Sequence, residues 1–179
     1  AEVEYLDHTS NTIYVSFQIK KTNKDFLKDA SIIIWTTTPW TIPANKALAF
    51  NSDIDYSVLE IENLEYFKDK KIVVAKNLID SICKECDIKT FKEIKTFKGS
   101  ELSGTVCSHP FVKKGFDYDV PMLNAQFVNL EQGTGIVHCA PSHGPDDFNL
   151  CLKNNIPSLY TVDNAGLYTK EIPHFFDTH

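Results

Sequence analysis

The 179-residue sequence contains no arginine; all 18 of its basic residues are lysines. That removes the planar guanidinium fork that grips phosphates with two parallel hydrogen bonds. The formal net charge is −6, which excludes the broad cationic face needed to neutralise a nucleic-acid backbone. Any contact with nucleic acid is therefore expected to be local, at a strand end. Long apolar runs are missing too. The longest, 31–35 and 72–75, fall far short of the roughly 20 residues that cross a bilayer, so no membrane partner is expected. The opening Ala1-Glu2-Val3-Glu4 is acidic where a secretion signal is basic and then apolar. The five cysteines, Cys83, Cys86, Cys107, Cys139 and Cys151, are odd in number and show no repeated spacing. This argues against a disulfide framework and for a reducing, cytoplasmic compartment. Cys83-Lys84-Glu85-Cys86 is a lone C-x-x-C with no second ligand pair, so no metal is expected. There is no internal repeat, and the Gly133-Thr134-Gly135 turn lacks the spacing and the lysine of a phosphate-binding loop.

What is present is enough apolar residue, 42%, for the core of one domain over residues 1–179. Ile13, Val15, Phe17 and Ile19 alternate with polar residues as in a half-buried strand. Ile32-Ile33-Ile34-Trp35 reads as a strand covered on both faces. Further strands are expected at 46–50, 56–61, 71–75, 89–95, 126–130, 136–140 and 159–162. One helix is expected to start at an Asn77 cap and run to about Cys86. A second is expected from Pro145-Asp146 to about Asn154, with acidic residues where the helix dipole favours them. Asp163-Asn164-Ala165-Gly166 is a turn, and Lys113-Lys114-Gly115 with 117–119 a solvated loop. The sum is an α+β, strand-rich domain with a β-barrel-like core and peripheral helices.

Two segments stand out for chemistry. In Trp35-Thr36-Thr37-Thr38-Pro39-Trp40-Thr41-Ile42-Pro43-Ala44-Asn45, the prolines end the strand near Thr38 and turn the chain into a rigid loop. The stiff threonine rotamers offer fixed hydroxyls, although spacing alone favours a threonine-rich edge strand facing solvent. The second segment runs from Gly133 to Asp147, and a Gly-rich turn feeds a strand ending near His138. A short loop and a helix opening with Asp146 and Asp147 follow. His138 and Asp147 flank that loop and are able to face one pocket. A hydrogen-bonded core histidine and two helix-dipole carboxylates would explain the same residues equally well. Cys139 beside His138 suggests a thiol hydrolase, but neighbours on a strand point to opposite faces. Only His143 would be left to reach it.

These two strings, in this order, resemble the threonine-rich motif and the GTG-x-V-H-x-A-P…HGPDD motif of the isoleucyl-tRNA synthetase editing domain. Ser108-His109-Pro110-Phe111, Asp119-Val120-Pro121 and Thr161-Val162-Asp163 match the family's order between and after them. The resemblance covers essentially the whole chain. Valyl and leucyl relatives carry arginine at the third position of the threonine run, followed by proline and an acidic residue. Thr38-Pro39-Trp40 here points to the isoleucyl branch, and the compact segment between the two motifs, with His143-Gly144-Pro145-Asp146-Asp147, resembles its bacterial form. Ser142 departs from the glycine common at that place.

The resemblance implies a domain inserted in a class I synthetase, here without the HIGH-type and KMSKS-type signatures of the catalytic domain. Its implied activity is hydrolysis of valine wrongly esterified to isoleucine tRNA. A synthetic pocket gains only ~1–3 kcal/mol from one methylene, a general limit for which isoleucyl-tRNA synthetase is itself the usual worked example, so a second, size-limited pocket is needed. Implied catalytic residues are Thr36, Thr37, Thr38, His138 and Asp147, with Asp147 holding the substrate's ammonium group. Implied substrate contacts are Trp40, Thr41, Asn45, His143 and Asp146. Trp40 is also expected to lie in the core. No cofactor is implied. The implied partners are the aminoacylated 3′ end of the tRNA and the rest of the synthetase. A binding module that does not turn over, a freestanding deacylase and a cysteine-dependent hydrolase remain the alternatives.

Overall fold

The computed structural model describes residues 9, 11–62 and 70–178. The elements are β1 (Ile13–Lys21), β2 (Ala30–Thr36), β3 (Ala47–Phe50), β4 (Asp55–Ile61), β5 (Lys71–Ala75), α1 (Ile79–Glu85), β6 (Phe91–Lys98), β7 (Val106–Ser108), β8 (Asp119–Asn124), β9 (Val137–Cys139) and α2 (Pro145–Lys153), with short 3-10 turns between them. The nine strands form one mixed sheet in the order β6-β4-β5-β2-β1-β7-β8-β3-β9. β2 runs antiparallel to β1 and parallel to β5, and β3 runs parallel to β8 and antiparallel to β9. β9, the last strand of that order, comes back alongside β2. The strands from β2 through β1, β7, β8 and β3 to β9 thus curl into a nearly closed barrel, and β5, β4 and β6 extend from its side. This return brings the end of the threonine strand beside His138.

β2 explains why the barrel holds together. Every residue of Ala30–Thr36 except Trp35 is buried, and alternate side chains serve different cores. Ile32 and Ile34 join Phe17, Val58, Val73 and Ile136 in the main core, which β4 and β5 share with the barrel strands. Ile33 turns the other way, to Leu59, Ile72, Val74 and the Ile79 and Ile82 face of α1. α2 packs through Cys151 on Ala47 and Ala49 of β3 and Cys139 of β9.

The structure moves several expected elements. Residues 126–130 form turns rather than a strand: the Asn51 amide donates to the Val128 carbonyl, and Asn129 accepts from the Glu131 N–H. Residues 159–162 contribute only an isolated bridge, Val162 to Tyr168. β6 lies further along than 89–95, and α1 follows a 3-10 turn, Lys76–Leu78, without a side-chain cap from Asn77. β7 and β8 were unexpected, and β8 takes in Asp119 and Pro121. β7 is only three residues long, and although it pairs with β8 close by, the flanking partners β1 and β3 come from far back in the chain.

Candidate functional site

The site forms where β2, β9 and α2 converge. β2 ends at Thr36, and Pro39 and Pro43 then fold 39–44 into a 3-10 turn. Thr38 N–H donates to Thr36 Oγ1 at 3.0 Å, and the Thr41 hydroxyl donates to the Thr38 carbonyl at 2.8 Å. The threonines are therefore locked into one another. A cavity of about 230 Å³ opens there, lined by Thr36, Thr38, Trp40, Thr41, His138, Ala140, His143 and Asp147. Residues from both sequence segments share it.

His138 is buried, and both ring nitrogens are engaged. Thr41 Oγ1 lies 3.0 Å from Nε2, and the Asn45 amide nitrogen 2.7 Å from Nδ1. The one Thr41 hydroxyl proton is given to Thr38, so Thr41 accepts from Nε2–H, while Nδ1 accepts from Asn45. The Asn45 amide is oriented by donating also to the Ala47 carbonyl at 2.9 Å. Burial, with His109 and His143 nearby, pushes the His138 pKa down to about 3, so the ring is neutral at physiological pH. Asn45 is fully buried and leaves its Oδ1 without a partner. It supports His138 from behind instead of facing a ligand.

Asp147 lies in the first turn of α2, after Gly144 and Pro145. Its carboxylate accepts from the Ala140 N–H at 2.8 Å. Burial raises its pKa, and that backbone hydrogen bond opposes the rise. A partly desolvated carboxylate beside a cavity that offers no cationic side chain is suited to a cation from outside. His143 hydrogen-bonds Thr161 at 2.7 Å through Nε2 and meets Trp40 edge to face, with ring centroids 4.9 Å apart.

Other expected residues lie elsewhere. Thr37 lines a neighbouring cleft of about 270 Å³ with Trp35, Phe127, Asn129, Gln132 and the Gly133–Gly135 turn; Thr36 lines both spaces. Asp146 is exposed on α2 and does not line the cavity. Trp40, expected in the core, is 51% exposed, because the 3-10 turn carries it to the rim. Contacts missed from the sequence are the Ala140 N–H and three hydroxyls: Tyr118 donating to Asn45 O, Tyr168 donating to Trp40 O, and Thr161 on His143. Of these, Thr161 carried a signal in Thr161-Val162-Asp163 and Ala140 lay within the second motif, while Tyr118 and Tyr168 carried none.

The thiol alternative fails on geometry. Cys139 turns away from His138 to pack with Ala47, Ala49 and Cys151, and burial raises its pKa well above the ordinary thiol value. Among the described residues, no three His, Cys, Asp or Glu side chains gather as metal ligands would, and no helix is long and apolar enough to cross a membrane.

Comparison with known proteins agrees with this architecture. The family described as "Leucyl-tRNA synthetase, editing domain" matches residues 9–174. The isoleucine–tRNA ligase of Pelagibacter ubique (strain HTCC1062) is 62% identical over 179 residues, all of this chain and 20% of that protein. That of Gluconobacter oxydans (strain 621H) is 45% identical over 185 residues, 100% of this chain and 19% of that protein. The chain thus spans about a fifth of the length of these curated relatives. In fold, it resembles the crystal structure of GlLeuRS-CP1, with a TM-score of 0.62 at 14% identity, covering 88% of this chain and 74% of that one. The P. knowlesi cytosolic leucyl-tRNA synthetase editing domain gives 0.61 at 15% identity, covering 80% and 60%. The chain belongs to the aminoacyl-tRNA synthetase editing-domain family, and the relatives it matches are segments of bacterial isoleucine–tRNA ligases.

Proposed function

We propose that this chain hydrolyses the ester joining misattached valine to the terminal adenosine of isoleucine tRNA, and excludes isoleucine by size. Valyl-adenylate, which presents the same acyl group, would be a second substrate of the same cavity. The observation that supports the reading is the one small cavity shared by Asp147, Thr36, Thr38 and His138. In this reading Asp147 holds the substrate's α-ammonium group, which supplies the cation that the desolvated carboxylate lacks. His138 acts as a wall and not as a base, since burial holds its pKa down at about 3, which leaves the ring a poor proton acceptor, and both its nitrogens are bonded. The Thr36 and Thr38 hydroxyls place a water on the ester carbonyl.

The water oxygen attacks the carbonyl carbon, and the bond from that carbon to the ribose oxygen breaks. The ribose leaves as a hydroxyl with one water proton, relayed by the vicinal ribose hydroxyl. Valine leaves as a carboxylate and its acid proton passes to solvent. An aminoacyl ester is already activated, so positioning and charge stabilisation suffice and the step calls for no cofactor. The terminal nucleoside is proposed to sit across Thr36, in the cleft carrying Thr37. There Asn129 and Gln132 offer side-chain amides to an adenine edge, and the 37%-exposed Phe127 offers a stacking face. With no arginine and a net charge of −6, the tRNA body is held by the rest of a cytoplasmic synthetase, which also performs aminoacylation.

The test is Asp147→Asn in the full-length protein. Hydrolysis of Val-tRNA is expected to fall by about 100-fold or more, the scale of removing one partner of a buried ion pair. A variant as active as the wild type would refute this role for Asp147.

A further inference from the structure

The segment after α2 holds none of the groups assigned to the reaction, yet it grips the cavity wall at two points. Thr161 hydrogen-bonds Nε2 of His143 at 2.7 Å, and the Tyr168 hydroxyl donates to the backbone carbonyl of Trp40. His143 and Trp40 stand together on the rim of the 230 Å³ cavity, their ring planes 83° apart. Neither ring is held by its own burial, since Trp40 is half exposed and His143 only partly covered. Thr161 and Tyr168, by contrast, are buried at 3% and 7% exposure. They also belong to one rigid unit. The Thr169 N–H donates to the Thr161 carbonyl, Val162 bridges Tyr168, and Asp163 Oδ1 accepts from the N–H groups of Ala165 and Leu167 across the turn. Tyr168 is anchored further against Ala44, Phe116, Ala140 and Ile172.

We propose that this hairpin, 161–168, sets the width of the cavity, with Thr161 and Tyr168 as positioning residues that hold His143 and Trp40 against a larger side chain. The inference rests on the hydrolytic reading above. A filter that separates two substrates by one methylene works only if its wall does not yield by a fraction of an ångström. Exposed rings on a short turn hop between rotamers readily. A hydroxyl anchored in a packed hairpin restrains the His143 ring, and the tyrosine fixes the backbone from which Trp40 projects.

The experiment uses the full-length protein and measures deacylation of Val-tRNA and Ile-tRNA for Thr161→Val, Tyr168→Phe and Thr161→Ser. Thr161→Val keeps the side-chain shape and deletes the hydroxyl, and Tyr168→Phe deletes one oxygen. Each is expected to narrow the Val-over-Ile preference by about 3- to 10-fold, a part of the roughly 10- to 200-fold that one methylene is worth, chiefly through faster Ile-tRNA hydrolysis. Thr161→Ser is expected to keep the wild-type preference. If both esters slow equally in the two deletion variants, or the preference stays put, the hairpin is only structural and the inference is overturned. Should Thr161→Val lower the melting temperature, Tyr168→Phe decides alone. Wild-type protein that cleaves neither ester would overturn the hydrolytic reading and this inference with it.

Discussion

Burial shifts both His138 and Asp147 in the cavity, and it makes the neutral form of each easier to reach. For His138 the result is a ring that stays unprotonated down to about pH 3. For Asp147 it is a carboxylate that ionises later than usual as pH rises. The deacylation rate should therefore have an acid limb from Asp147 above the ordinary carboxylate value, rising as the carboxylate ionises. No inflection should come from His138 near 6.5. Measuring kcat/KM from about pH 4.5 to 8, with His138→Asn beside the wild type, tests this. An inflection near 6.5 present in the wild type and lost in His138→Asn would mean that His138 titrates as a base. The pairing of both His138 nitrogens explains why sequence left its role open, since the same residue type serves as a base, a ligand or a wall. Asn45 shows the same limit, because its motif position was legible but not its orientation toward Nδ1 of His138.

Among the elements, the Gly133–Gly135 turn bears most directly on the site because it delivers β9. Gly135 has φ +73°, and a Cβ there would lie 2.4 Å from the Ala75 Cβ. Its carbonyl accepts from the Tyr56 hydroxyl at 2.7 Å, and the Thr134 carbonyl accepts from the Ala75 N–H. β9 is thus seated on β5 by a turn with no room for a side chain. Gly135→Ala is expected to cost about 1–3 kcal/mol in a denaturant titration, from overpacking and left-handed strain together, and to depress deacylation by shifting His138. A loss under about 0.5 kcal/mol, the range of ordinary surface changes, would show that the turn yields. Elements with strong local signals were legible: the apolar run of β2, the prolines that end it, and the Pro145-Asp146-Asp147 start of α2. β7 and β8 were not, because β7 is only three residues long and the strands that flank the pair, β1 and β3, are brought from elsewhere in the chain.

For the whole molecule, two buried histidines couple stability to acidity. Burial pushes His109 down to about 4, its ring hydrogen-bonded to the Ile42 carbonyl and stacked on Phe116, and His138 down to about 3. In the unfolded chain both take up protons near 6.5. Between those limits the unfolded state binds more protons, so stability falls as pH falls from about 6.5 toward 4, by about 1.4 kcal/mol per pH unit for each histidine. Unfolding titrations of the wild type and of His109→Gln and His138→Gln measure this, and each replacement should remove about 1.4 kcal/mol per pH unit from the slope. Equal slopes in all three proteins would mean that the buried rings are protonated in the fold.

The sequence by itself determined what the chain is made to form: a strand-rich domain with rigid threonine and aspartate segments whose order is specific to one family. Those features depend on local chemistry, on propensity, proline geometry and helix-end charge, and a linear pattern carries them. Tertiary structure alone decided which residues meet. The return of β9 beside β2 put Thr36 and Thr38 with Asp147, sent Thr37 to a second cleft, lifted Trp40 to the rim and set a distant hairpin behind it. Contacts of that kind are fixed by the curl of the sheet, which is a property of all the strands at once and of no segment singly.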